Sequence, residues 1–321
     1  MFKFKYLQIF LLGGLIADAA HAQTFPSKPM RIILGFTPGG ATDITARTVA
    51  QKFTESMGQQ VIVDNRPGAA SNIGAEAVAR AAPDGYTLFL GSVSTSINPS
   101  LYAKMAYDPL RDFAAVAHVA TTPFLLVVHP SVPAKNVKEL IAFAKARPGE
   151  LNYATAGAGS GAHLFMEMFN AMSGVKSNAV PYRGAVAGTN DVIAGQIPLM
   201  FDNIFSTLPL SRAGKFRALA ISTAQRSAIA PEIPTVAEAG VPGYDANAWF
   251  GLFAPVATPK DIVARLNAEV VKGLQAPDMR DRLRGLGATP GGGSPEQFAA
   301  FFRDEVAKWA KVVKTAGVKL D

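Results

Sequence analysis

Residues 33–44 read ILGFTPGGATDI, and this stretch decides the fold. The apolar run from Ile32 to Phe36 reads as a strand and Thr37-Pro38-Gly39-Gly40 as a turn. A helix follows, with Val49, Phe53 and Met57 recurring every fourth residue beside Ala46 and Ala50. A strand that ends in a glycine turn and opens a helix leaves several backbone N–H groups without intrahelical partners. Those donors, backed by the positive end of the helix dipole, form an anion site. Glycine lets a ligand reach the backbone, because no Cβ intervenes. The same arrangement recurs at residues 153–165, where a second strand runs through Gly157 and Gly159 into a second helix.

The first residues read as an export signal. Lys3 and Lys5 precede an apolar run from Tyr6 to Ala17, and Ala20-His21-Ala22 is an A-x-A pattern, so cleavage after Ala22 is expected. No later apolar run is long enough to span a bilayer. The chain has 321 residues and no cysteine, which excludes a disulfide framework and thiolate chemistry. Its length suggests two domains with a sizeable core. A net charge of +7 suits an anionic small molecule. No dense Lys/Arg run is interleaved with aromatics, so nucleic acid is not an expected partner. Arg280, Arg282 and Arg284 read as one solvated helix face.

Strand-like and helix-like segments alternate throughout. VIVDN (61–65) and TLFLGS (87–92) are strands, separated by a helix from Asn72 to Ala82. A second cycle starts near 124, with strands at 124–130, 151–156, 178–180, 198–202, 216–222 and 249–255. Its helices include Val137 to Ala146 and Ala162 to Met172, the latter stopped by Gly174. Three helices close the chain, and the last presents Phe298, Phe301, Phe302, Val306, Trp309 and Val313 as one apolar stripe. Continuous apolar strands alternating with helices predict an α/β protein whose two sheets are mostly parallel and covered by helices. The two cycles predict two lobes, residues 23–123 plus 252–321 and residues 124–251. Hinge crossings are expected near 122–125 and 248–252.

Ligands of open parallel sheets sit outside the carboxyl ends of the strands. The residues in those places are Thr37 to Asp43, Ser92 to Asn98, Ala156 to His163, Tyr182 to Gly184, and Asp202-Asn203. All five sets are rich in uncharged hydrogen-bonding groups. Strand-end loops carry such residues for turn formation as well, so one set alone would say little. Arg183 could grip a carboxylate bidentately, or sit on an exposed loop. Asp43 would repel an anion at the start of its helix, so it is expected to cap backbone N–H groups and shape the turn. Gly157-Ala158-Gly159-Ser160-Gly161-Ala162 matches G-x-G-x-x-A, but Tyr182 and Arg183 stand where a dinucleotide site needs an acid. No cofactor is therefore expected. His163 and Glu167 share a helix face without a third ligand, so no metal is expected either. No base–nucleophile pair supports catalysis. An enzyme acting on a carboxylate through His163 or Asp202 is the weaker alternative.

At these residues the chain resembles the tripartite tricarboxylate transporter substrate-binding family, the Bug family of periplasmic solute receptors. The resemblance covers FPSKPMRIILGFTPGGATDI, VIVDNRPGAASNIGAEAVARAAPDGYTL, LYAKMAYDPLRDFAAVA and LLVVHPSVPAK. It continues through LNYATAGAGSGAHL, VPYRG, GQIPLMFDN, PTVAEAGVPGY and WFGLFAPVATPK. It implies a two-lobe, type II periplasmic-binding-protein fold that closes over a small carboxylate. It implies a periplasmic monomer delivering that ligand to integral-membrane transporter subunits, or presenting its loaded form to a sensor protein in signalling without transport. By position it points to Thr37, Gly39, Gly40, Ala41, Thr42 and Asp43 on one lobe, with Ser92, Ser94, Thr95 and Asn98. On the other lobe it points to Ala156, Gly157, Gly159, Ser160, His163, Tyr182, Arg183 and Asp202. Where the family often places hydroxyl residues, this chain has Gly161-Ala162 and Ala185. Fewer hydroxyls imply a ligand whose distal end is less polar than citrate, such as an aromatic or medium-chain carboxylate.

Overall fold

The opening motif folds as its pattern requires: Met30–Leu34 is strand β1, and Ala41–Met57 is helix α1 beyond the glycine turn. The computed structural model describes residues 25–320 and continues the alternation with β2 (Val61–Asn65), α2 (Asn72–Ala79), β3 (Thr87–Ser92), α3 (Val93–Leu101) and β4 (Phe113–Thr122). Next come β5 (Phe124–Val128), α4 (Val137–Lys145), β6 (Leu151–Thr155), α5 (Gly161–Ser173) and β7 (Ser177–Pro181). They are followed by α6 (Ala185–Ile193), β8 (Leu199–Asn203), α7 (Ile204–Arg212) and β9 (Arg217–Ile221). The chain returns through β10 (Ala248–Pro255) to α8 (Lys260–Gln275), α9 (Pro277–Gly285), β11 (Thr289–Gly292) and α10 (Pro295–Ala316). The expected signal segment and its cleavage site after Ala22 lie outside the described residues. Among the described residues no helix is long and apolar enough to cross a membrane.

The strands form two sheets, ordered β11-β4-β10-β3-β1-β2 and β7-β6-β8-β5-β9, one in each lobe. Both sheets are mixed, which corrects the mostly parallel expectation. In each, three strands linked by helices are parallel, β2-β1-β3 and β7-β6-β8. The pairs made by β10, by β11 and by β5 are antiparallel. The cause lies in the crossings. β4 passes almost directly into β5 at Pro123, so the chain enters the second lobe on a strand rather than through a helical crossover. β10 brings it back in the same way, and pairs with β4 from Ala248 onward. A boundary at 251/252 would cut through this strand, and the return crossing lies ahead of Ala248.

β5 and β10 are buried along their whole length, as strands covered on both faces must be. Helix α10 lies over α3 and β4 of the first lobe and also reaches α5 of the second. It starts at a capping box: Ser294 Oγ accepts from the Gln297 N–H, and Gln297 Oε1 accepts from the Ser294 N–H. Gly251 lets the helix settle on β10, since a Cβ there would stand 2.0 Å from the Phe298 ring. About three turns along, Trp309 stacks on Phe165 of α5 with ring centroids 5.4 Å apart and planes 3° apart. Glu305 Oε2 accepts from both Trp249 Nε1 and Trp309 Nε1, each at 3.0 Å. Replacing this acceptor by Glu305→Leu leaves two buried indole N–H groups unpaired. Urea unfolding is expected to show a loss of about 3 kcal/mol at unchanged m-value. A loss under about 1 kcal/mol would show that water replaces the carboxylate.

Candidate functional site

Between the carboxyl ends of β1 and β3 in one lobe and of β6 and β8 in the other lies a cavity of about 70 Å³. Five helices begin at it. The residues Gly40 before α1, Ser92 before α3, Ser160 before α5, Gly184 before α6 and Asn203 before α7 all line its surface. Ser160 Oγ accepts from the His163 N–H, and Asn203 Oδ1 accepts from the Phe205 N–H, both at 3.3 Å. Glycine has no side chain to cap with, so α1 and α6 present their first N–H groups bare. Two buried side-chain groups in the lining, Ser94 Oγ and Asn203 Nδ2, have no protein partner, and both can donate. Among the described residues no Lys, Arg or His lines the cavity. The groups that could favour an anion there are therefore helix ends and uncharged side-chain donors. Phe36, Phe124, Phe250, Ala185 and Ala248 form apolar walls.

Nine of the residues to which the family resemblance points meet at this surface: Thr37, Gly40, Ala41, Thr42, Ser92, Ser94, Ala156, Ser160 and Asp202. The others stand behind it or beside it. The Gly39 N–H donates to Asp43 Oδ2, and Asp43 also accepts from Arg47 and Asn65. Burial pushes the Asp43 carboxyl up, but the Arg47, Gly39 and Asn65 hydrogen bonds together hold it below the usual range. Asp43 thus shapes the turn. Thr95 Oγ1 accepts from the Ser92 N–H, and Asn98 Nδ2 donates to Ala70 O and Asn72 Oδ1. The Gly157 N–H is taken by Thr155 Oγ1, and Gly159 packs against Ala70 of the facing lobe. The Tyr182 hydroxyl donates to Asp191. Arg183 is exposed, and only its carbonyl faces the cleft, where it accepts from Thr37 Oγ1 at 3.5 Å.

His163 lies under the surface, where its Nδ1 accepts the Gly159 N–H at 3.1 Å. Burial lowers its pKa to about 4, so the ring is neutral near pH 7. Asp202, in contrast, faces the cavity. Its Oδ2 accepts from Ser206 Oγ at 2.9 Å, and burial pushes its pKa up to about 6 against the pull of that hydroxyl and the Asn203 backbone. The apolar walls Phe36, Phe124, Ala248 and Phe250 escaped the sequence reading. They lie within or next to continuous apolar strands, where nothing in the pattern marks the face turned to a cleft. Among the described residues no group of three metal-ligating side chains occurs.

The lobes touch across the cleft. A Cβ on Gly184 would come within 2.1 Å of Thr37 Oγ1, and one on Gly161 within 2.8 Å of Val93. The cleft is closed.

The tripartite tricarboxylate transporter family receptor model matches residues 45–318. The chain belongs to this family. Within that receptor family it is 38% identical over 314 residues to the protein BugT of Bordetella pertussis, a match covering 97% of this chain and 96% of BugT. The solved structure of R. palustris Rpa4515 with adipate is 41% identical and superposes with a TM-score of 0.89 over 92% of this chain and 99% of that one. MatC (Rpa3494) of Rhodopseudomonas palustris, solved with bound malate, is 35% identical with a TM-score of 0.86 over 90% of this chain and 100% of that one. The two-lobe periplasmic-binding-protein architecture is common to them.

His163 carries a stability prediction for the receptor fold. The unfolded chain binds a proton at this histidine below about pH 6.5, whereas the folded one resists until about pH 4. Its contribution is therefore complete above pH 6.5 and lost as the pH falls toward 4. His163→Asn keeps an acceptor without a titrating ring. The difference in unfolding free energy between wild type and variant is expected to favour wild type progressively as pH rises from 4 to 6.5. A difference independent of pH would show that His163 titrates as in the unfolded chain.

Proposed function

We propose that this protein is a periplasmic receptor that captures a small carboxylate between its lobes and hands it to the membrane subunits of a tripartite tricarboxylate-type transporter. The observation that carries this reading is the meeting of five helix N-termini, with the free donors Ser94 Oγ and Asn203 Nδ2, at a cavity lined by no basic side chain. Such a site holds an anion by backbone N–H groups and helix dipoles. The residues named for the ligand are Thr37, Gly40, Ala41 and Thr42 from one turn, Ser92 and Ser94 from a second, and Ala156, Ser160 and Asp202 from the facing lobe.

The apolar walls favour a ligand with a hydrocarbon body, in keeping with the adipate found in one relative. A highly hydroxylated or tricarboxylic ligand would leave polar groups unpaired against Phe36, Phe124 and Phe250. The reading is of a receptor rather than an enzyme, because His163 is bound to a backbone N–H beneath the surface and Asp202 is engaged by the Ser206 hydroxyl and the Asn203 backbone. The hinge is assigned to the two crossings, at Pro123 and ahead of Ala248, and closing adds the contacts of the second lobe to those of the first.

Thermal shift against adipate, malate, benzoate and citrate tests the ligand class. A bound ligand adds RT ln(1 + [L]/Kd), about 4 kcal/mol at a thousandfold excess over Kd. Medium-chain or aromatic carboxylates are expected to give the largest shifts, and a larger shift with citrate would overturn the assignment to an apolar-bodied ligand. Gly184→Ala addresses closure: the added methyl group meets Thr37 and, at a φ of 103°, also strains the turn before α6, so binding is expected to weaken about tenfold in titration calorimetry. Unchanged affinity would mean that the two lobes need not meet at Thr37.

A further inference from the structure

Asp202 is an unusual neighbour for an anion. It is the next-to-last residue of β8, opposite Leu125 of β5, is 6% exposed, and opens onto the cavity whose other polar groups are donors or hydroxyls. Among the described residues no Lys, Arg or His lines the cavity to balance it, and Arg183, in the loop beside Gly184, is exposed. The titratable side chains on the elements packed around β8 are bound elsewhere. On α5, His163 takes the Gly159 N–H, and Glu167 takes the Tyr153 hydroxyl of β6. Asp191 of α6 holds Tyr182, and Arg212 of α7 holds Ile229 O and Glu232. Across the cleft, Asp43 of α1 is paired with Arg47. β5, β10 and α3 carry no titratable side chain.

We propose that the cavity takes a carboxylate ligand together with one proton, held between Asp202 and a ligand carboxyl oxygen, so that Asp202 selects ligands able to share that proton. The proposal rests on the carboxylate-receptor reading above. Two carboxylates close together in one enclosed site repel each other, which raises the proton affinity of the pair and favours a proton held in common. Burial has already moved Asp202 up to about 6 in the protein alone, and a second carboxylate beside it moves it in the same direction. At neutral pH the proton therefore comes from solvent as the ligand binds. The resulting O–H···O contact uses the acidic hydrogen of one group and an oxygen lone pair of the other, which meets the hydrogen-bonding need of both.

Proton uptake of this kind is read directly by titration calorimetry with adipate and with malate, from pH 5.5 to 8.5, in two buffers of different ionisation enthalpy. The sign follows from the raised value: above about pH 6 the free protein lacks the proton that the complex holds. Affinity is expected to fall about tenfold for each pH unit between 6.5 and 8, with an enthalpy difference between buffers equal to about one proton taken up. Asp202→Asn, which offers an N–H in place of the O–H, is expected to bind with affinity independent of pH. A wild-type affinity that is flat in pH, with no dependence on buffer, overturns the shared proton and leaves the receptor reading standing. The same slope in wild type and Asp202→Asn places the proton elsewhere and also overturns it. Failure of every carboxylate to bind at any pH removes the receptor reading, and the shared proton with it.

Discussion

The rest of the structure answers to one electrostatic constraint: a cleft whose hydrogen-bond donors come from helix ends and uncharged side chains, with no basic side chain in its lining. A helix N-terminus carries roughly half a unit of charge, and that charge falls off within a turn. One terminus is therefore a weak site, and several must be brought to the same point. Parallel strands followed by helices do this, because every such helix starts at the same edge of its sheet. Here α1 and α3 come from one lobe and α5, α6 and α7 from the other. Neither lobe alone has the full set. Complete electrostatics thus require the closed form, and the contact of Thr37 with the bare Cα of Gly184 shows how closely the lobes then meet.

This arrangement has a cost in the protein itself. Ser94 Oγ and Asn203 Nδ2 are buried without partners, and each such group removes about 1–3 kcal/mol that a satisfied core would keep. The surrounding aromatic walls raise that cost, since they exclude water from the donors. They also strengthen every remaining dipole by lowering the local dielectric response. Polar donors and phenyl rings in one lining are thus two halves of one design, in which the site is destabilised locally and supported by cores elsewhere.

The backbone half of this design was legible in the sequence, and the side-chain half was not. Thr37 to Thr42 and Ser160 could be placed because glycine turns and helix starts have fixed positional chemistry, independent of tertiary context. Asp43 could be assigned to the turn from its repulsion toward an anion at the same helix start. Phe124 and Phe250 could not be placed, because a strand buried on both faces gives no alternation from which to read direction. The segment FAAVAHVATT at β4 had no place among the expected strands, since its small residues resemble neither a β-branched run nor a helix stripe. TPGG at β11 looks like a turn, and pairs with β4 only because that edge is offered to it. Sheet direction failed for a related reason: alternation counts crossovers, but a strand that ferries the chain between lobes reverses the sense without any local mark.

Helix α10 joins the two lobes. It is fastened to α3 and β4, and through Trp309 it lies flat on Phe165 of the opposite lobe. The chain has two tryptophans, and both indoles share the Glu305 carboxylate. Every photon emitted by tryptophan in this protein therefore originates within one buried cluster at the junction of the lobes. Separation of α5 from α10 unstacks one emitter and alters the field felt by both. An opening at the proposed hinge would therefore change the protein's own tryptophan fluorescence, with no dye or added label.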